Sequence, residues 1–101
     1  MKREVVFSPE ADADQISLYD YIAVKSGTER AFAYVERIRL FCLSLNTFPE
    51  RGTSYAHLFP GVRIVGFERR VSVIFRVKSQ SVMILRILYG GRDLPQSLRE
   101  K

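Results

Sequence analysis

Two hydrophobic periods follow one another along this chain, a helical one in the first half and a strand-like one in the second. The run Val5-Val6-Phe7 reads as a short first strand. Ser8-Pro9 then marks a helix start, with Ser8 as N-cap and Pro9 at the first helical position, where a missing N–H is no loss. Glu10, Asp12 and Asp14 follow in the first turns, beside the positive end of the helix dipole. Ile16, Tyr19, Ile22 and Ala23 recur at helical spacing, with Leu18 and Tyr21 widening the stripe, and Gly27 stands as the terminating residue. Thr28 is read as the cap of a second helix, in which Ala31, Val35, Ile38, Cys42 and Leu45 form one apolar line with Tyr34, Leu40 and Phe41 beside it. Two amphipathic helices joined by a two- or three-residue turn lie antiparallel, which predicts a helical hairpin over residues 8–46.

The period changes after Phe48-Pro49-Glu50-Arg51-Gly52, a break that opens a loop running to Phe59-Pro60-Gly61. Val62 to Phe67 reads as a strand. In the next segment Val71, Val73, Phe75 and Val77 alternate with Arg70, Ser72, Ile74 and Arg76. Val82 to Tyr89 is apolar on both faces except at Arg86, the pattern of a central or doubly covered strand. The expectation is therefore one α+β domain over residues 1–101, with the hairpin packed on a mainly antiparallel sheet from residues 62–90. Its predicted core is Ile16, Ile22, Val35, Ile38, Leu45, Val73, Phe75 and Leu85. Ile74, Ile84 and Leu88 are read as apolar surface on the far side of the sheet, open to a partner.

Charge changes this picture more than composition does. Residues 1–50 hold six Lys/Arg against eight Asp/Glu, whereas residues 51–101 hold ten against three, within a formal net charge of +5. The later cations are mostly arginine, which makes forked contacts to carboxylates and phosphates. An acidic partner is implied: nucleic acid, a protein on nucleic acid, or an acidic peptide. No apolar run is long enough to span a membrane and no signal-like segment opens the chain, so a cytoplasmic protein is expected. The single cysteine, Cys42, sits among apolar residues and reads as a buried thiol.

Catalytic patterns are scarce. His57 is the one histidine and has no neighbouring cysteine, no triad signature is present, and Gly90-Gly91 opens no phosphate-binding helix; neither metal nor cofactor is expected. Asp12, Asp14 and Asp20 read as a solvated helix face. What remains is a set of arginines, Arg63, Arg69, Arg70, Arg76, Arg86 and Arg92. Arg86 stands alone in an apolar strand, placed either to pair with a helix carboxylate such as Asp20 or to line a functional surface.

The motifs Phe7-Ser8-Pro9-Glu10-Ala11, Tyr21-Ile22-Ala23, Ser26-Gly27 and Ala33-Tyr34-Val35 occur in order. They continue through Phe48-Pro49-Glu50-Arg51-Gly52, Pro60-Gly61-Val62-Arg63, Gly66-Phe67-Glu68-Arg69-Arg70 and the stretch Ile84 to Asp93. In this order and spacing, over nearly the full length, the chain resembles the ParE branch of the ParE/RelE toxin superfamily. That resemblance implies a RelE/ParE-like fold and the toxin of a type II toxin–antitoxin system. Such a toxin inhibits DNA gyrase without chemistry of its own and is neutralised in a hetero-oligomer by the acidic, amphipathic segment of a ParD-like antitoxin. RelE relatives instead cut mRNA in the ribosomal A site, the alternative function. At the places where they carry lysines, an arginine and a C-terminal tyrosine, this chain has Arg63 and Val65, Val71 to Ile74, and Leu98; Arg92 alone matches a catalytic arginine. On this reading Arg63, Arg86, Tyr89 and Arg92, with the end Leu94–Lys101 expected to be flexible, contact the target. Arg70, Arg76, Ile74 and Leu88 contact the antitoxin.

Overall fold

Ser8 is the joint on which the fold turns. In the structure, a computed structural model that describes residues 3–90, it ends strand β1 (Glu4–Phe7) and caps helix α1 (Pro9–Ser26). Its Oγ accepts the Ala11 N–H at 3.0 Å and donates to the Leu85 carbonyl at 2.8 Å, so one hydroxyl ties the helix start to the last strand. Gly27 ends α1, its N–H donating to the Ala23 carbonyl, and it is also the N-cap of α2 (Thr28–Leu43). The connection is thus one residue, and Thr28 is the first helical residue rather than the expected cap. At φ 96° and ψ 160° Gly27 occupies a region essentially restricted to glycine, which permits so tight a reversal. A 3-10 turn (Ser44–Asn46) prolongs α2.

The sheet comprises β1, β2 (Thr53–Ser54), β3 (Val62–Phe67), β4 (Val71–Val77) and β5 (Ser81–Tyr89) in the order β1-β5-β4-β3-β2. β1 runs parallel to β5 and the other neighbours are antiparallel. The α+β architecture of a hairpin on a mainly antiparallel sheet stands, with β2 a short addition inside the stretch read as loop. β5 is flanked by β1 and β4, and its two faces meet the hairpin on one side and a smaller apolar cluster on the other, which explains its apolarity on both.

The main core fills the space between hairpin and sheet. Ala11 and Leu18 of α1 and Ile38 and Cys42 of α2, with Leu45, meet Val71, Val73, Phe75, Val82, Ile84 and Ile87. Ile22 and Val35 pack at its edge. Ile16, by contrast, is 64% exposed: the buried phase of α1 runs through Ala11 and Leu18. A register shift in the pairing of β4 with β5 sets Ile74 opposite Arg86 but Phe75 opposite Ile84, leaving Leu85 as the extra residue of a bulge. Ile84 consequently faces the hairpin, while the half-buried Leu85 joins Tyr55, Val62, Ile64, Ile74 and Leu88 in a second, smaller cluster. Two expectations are corrected by this: Leu85 lies outside the main core, and Ile84 does not face a partner. Ile74 and Leu88, only 4% and 2% exposed, are already buried within the chain.

Candidate functional site, a basic pocket lined by tyrosines

Helical spacing brings the site together. Along α1, Leu18 points into the core, and Tyr21 and Lys25 continue on the same side one and two turns later. Along α2, Arg30, Ala33, Tyr34 and Arg37 share a face at three- and four-residue intervals. Below them lie the β3–β4 turn, with Glu68 and Arg70, and the end of β5 at Tyr89. These parts border an open pocket of about 640 Å³.

Tyr89 links the parts. Its ring lies 5.6 Å from that of Tyr21, tilted, and 6.5 Å from that of Tyr34, edge-on, so the last strand residue touches a tyrosine of each helix. The turn beneath is held in an unusual backbone state, with Glu68 at φ 50° and Arg69 at φ 69°. Gly90 donates its N–H to the Arg70 carbonyl, fixing the turn against the end of β5.

The pocket is strongly positive. Arg37 forks onto Glu68 at 3.1 and 3.0 Å, which holds the Glu68 carboxyl below the usual range and raises the Arg37 guanidinium. That guanidinium also lies over the Tyr34 ring at 5.1 Å, and the Lys25 ammonium lies over Tyr21 at 5.2 Å. Among the described residues no carboxylate pairs with Lys25, Arg30 or Arg70. The Tyr34 phenol is raised, first by burial and then by the negative charge of Glu68, so it stays protonated and able to donate. Cations in excess of the one carboxylate, set around phenol rings, can hold a negatively charged group that also carries a flat surface.

A narrower cleft of about 250 Å³ shares Tyr21 and Tyr89 and extends to Asp14. There Arg86 makes the ion pair expected for it, but with Asp14 rather than Asp20: Nε and Nη2 meet the carboxylate at 2.8 and 3.0 Å. The same Oδ2 accepts the Ile87 N–H at 2.9 Å.

Of the residues singled out from sequence, the structure brings together Tyr89 and Arg70, which had been assigned to different partners. Arg63 donates to the carbonyls of Arg51 and Gly52 at 3.0 and 3.3 Å, pinning the loop before β2. Arg76 donates to the Pro60 carbonyl at 3.0 Å. Arg92 and the end Leu94–Lys101 lie outside the described residues. Lys25, Arg30, Arg37, Tyr21 and Tyr34 were missed as site residues. Their one signal was the i, i+3, i+4, i+7 recurrence of Arg30, Ala33, Tyr34 and Arg37, polar on a face that should have met the sheet. His57 stacks on Tyr55 at a centroid distance of 6.0 Å. Among the described residues no group of three or more His, Cys, Asp or Glu could hold a metal, and no helix is long and apolar enough to cross a membrane.

A helical hairpin on a five-stranded mixed sheet, with a basic rim where the last strand ends, defines an α+β class that comparison with known proteins narrows. The family model described as ParE toxin of type II toxin-antitoxin system, parDE, matches residues 5–94. The curated Toxin ParE3 of Caulobacter vibrioides is 28% identical over 97 residues, 96% of each chain. A solved structure described as the chromosomal ParDE TA system from P. aeruginosa superposes with a TM-score of 0.75 at 31% identity, covering 87% of this chain and 96% of that one. This chain belongs to the ParE toxin family of type II toxin–antitoxin systems.

Proposed function

We propose that this ParE-family toxin inhibits DNA gyrase by binding rather than by chemistry, and that a ParD-like antitoxin neutralises it in a cytoplasmic hetero-oligomer. The observation that carries the proposal is the basic pocket: three cations without carboxylate partners among the described residues, gathered around tyrosines at the end of β5, suit an acidic surface. Arginine there clamps carboxylates of a protein or phosphates of DNA held by it. Arg70 and Tyr89 are the proposed centre of the target surface, with Arg92 close after Tyr89 in the sequence.

The antitoxin is proposed to supply an acidic, amphipathic segment that folds on contact. Arg70 and Arg76, both on the chain's arginine-rich half, are its proposed charged contacts. Ile74 and Leu88 act beneath that surface, since both are buried. The apolar side of the segment has Ile16, Val24, Phe32 and Leu40 available on the hairpin, all more than half exposed.

The test is a pair of assays on the purified toxin. Supercoiling by gyrase should be inhibited, inhibition should be relieved by the antitoxin, and mRNA on programmed ribosomes should remain whole. Codon-positioned cleavage of that mRNA with supercoiling unaffected would transfer the function to the ribonuclease reading.

A further inference from the structure

The pocket carries more than a charge complement. Positive charge alone suits any anion, but here it is arranged around rings. Tyr21, Tyr34 and Tyr89 meet at one place, and the cations rise from three different elements around them. A volume of about 640 Å³ falls within the ~300–1,000 Å³ range of sites that enclose a small organic group. We propose that this pocket binds one nucleotide unit of single-stranded nucleic acid, with Lys25, Arg30 and Arg70 meeting the phosphate and Tyr21 receiving the base.

Each part of the arrangement has a use in that role. Tyr21 is 40% exposed, the most accessible floor a base could reach. The Lys25 ammonium now stands over its ring at 5.2 Å. An exposed cation–π contact is weaker than base–aromatic stacking, and a lysine stem is flexible, so a base displaces the ammonium and the freed cation turns to the phosphate. Arg37 is already held by Glu68, which leaves Arg30 and Arg70 as the guanidinium pair for the backbone. An acidic peptide would use the cations and leave the rings idle. A duplex keeps its bases stacked and cannot place one in a concave site. The inference is independent of the gyrase reading, because binding is measured with the toxin alone.

The experiment is fluorescence anisotropy of a labelled twelve-residue oligothymidylate at low salt. Competition is with unlabelled dTMP, a duplex of equal length, and a polyglutamate peptide. Binding to the single strand is expected, weakened about ten-fold or more by Tyr21→Ala. Arg30→Ala/Arg70→Ala should weaken it too and flatten the log–log salt slope by up to about 0.7, the amount for the one phosphate contacted. Arg39→Ala, paired with Glu36 away from the pocket, should bind as the parent does. Competition by dTMP at comparable concentration also supports the site and identifies free nucleotide as its source of ligand. Equal affinity for the duplex or for polyglutamate overturns the proposal, as does absence of binding or full binding by the double variant. Circular dichroism checks the folds, and should Tyr21→Ala unfold, the arginine double variant decides alone, since both side chains are exposed.

Discussion

Asp14 holds Arg86 in a two-point fork and also accepts the Ile87 N–H, so one carboxylate on the first helix closes the edge of β5 where β1 has ended. Phe7 pairs with Ile84, and beyond it no strand among the described residues covers that side of β5. Ser8 takes the Leu85 carbonyl and Asp14 the next N–H, so side chains finish what the short strand cannot. Asp14 is only 15% exposed, and its removal takes the acceptor from the Ile87 N–H and breaks the fork with Arg86. Asp14→Ala should therefore lower stability by about 1–3 kcal/mol. Arg86→Ala should cost less, because Ile87 still satisfies one oxygen, and the double variant should show clear non-additivity in denaturant titrations. Unchanged stability in Arg86→Ala would return that residue to the list of target contacts.

Cys42 is buried without exposure in the main core, and burial pushes its thiol up to about 12. The native protein should accordingly resist thiol reagents until it unfolds. The sign of the pH effect follows. An unfolded thiol ionises near 8.5, so between about pH 8.5 and 12 the unfolded state has lost a proton that the native state keeps. Stability is then fully present below that window and declines through it. Melting temperature measured from pH 8 to 10.5 should fall more steeply for the parent than for Cys42→Ala; parallel slopes would show that the thiol is accessible.

Most of the fold could be read from the sequence because local signals and burial agree. Ser8-Pro9, Gly27, and the alternation of Val71, Val73, Phe75 and Val77 each have one physical meaning. The phase of α1 did not, because polar residues interrupt its inward face. Apolar residues at Ile16, Leu18, Tyr19, Tyr21, Ile22, Ala23 and Val24 surround that helix. Its inward line is interrupted by Asp14, which serves Arg86, and ends at Lys25, which serves the pocket. Polar residues on a packing face disguise that face. The pocket was illegible for a related reason: it forms from two helices, a turn and a strand end, and no local pattern records that Tyr21, Tyr34 and Tyr89 converge. The bulge at Leu85 was equally hidden, since one inserted residue in an apolar run exchanges faces without changing composition.

Backbone conformation gives two opposite predictions. Arg69 sits at φ 69°, a left-handed state that L residues avoid, in the turn between Glu68 and Arg70, which line the pocket. Arg69→Gly should relieve strain by more than glycine's added entropy in the unfolded chain, a net gain of about 0.5–1 kcal/mol. A thermal melt should rise by a few degrees, and a fall would show that the arginine side chain holds the turn. Gly27 is the converse. A Cβ there would meet nothing within 4 Å, so its constraint is conformational alone. Gly27→Ala should lose about 1–3 kcal/mol by straining a one-residue connection.

The phase of α1 can be tested directly by paired truncations. Leu18 is 5% exposed and packs in the main core, whereas Ile16, two residues earlier, is 64% exposed. Leu18→Ala removes packed methyl groups and leaves a cavity between hairpin and sheet, which should cost about 2–5 kcal/mol. Ile38→Ala and Phe75→Ala, both at positions with no exposure, belong to the same class. Ile16→Ala leaves no cavity, and alanine is the better helix former, so stability should stay within about 0.5 kcal/mol of the parent. Urea titrations of the two variants decide the matter. A large loss for Ile16→Ala with little for Leu18→Ala would rotate the helix by most of half a turn, and would carry Tyr21 and Lys25 away from Tyr89.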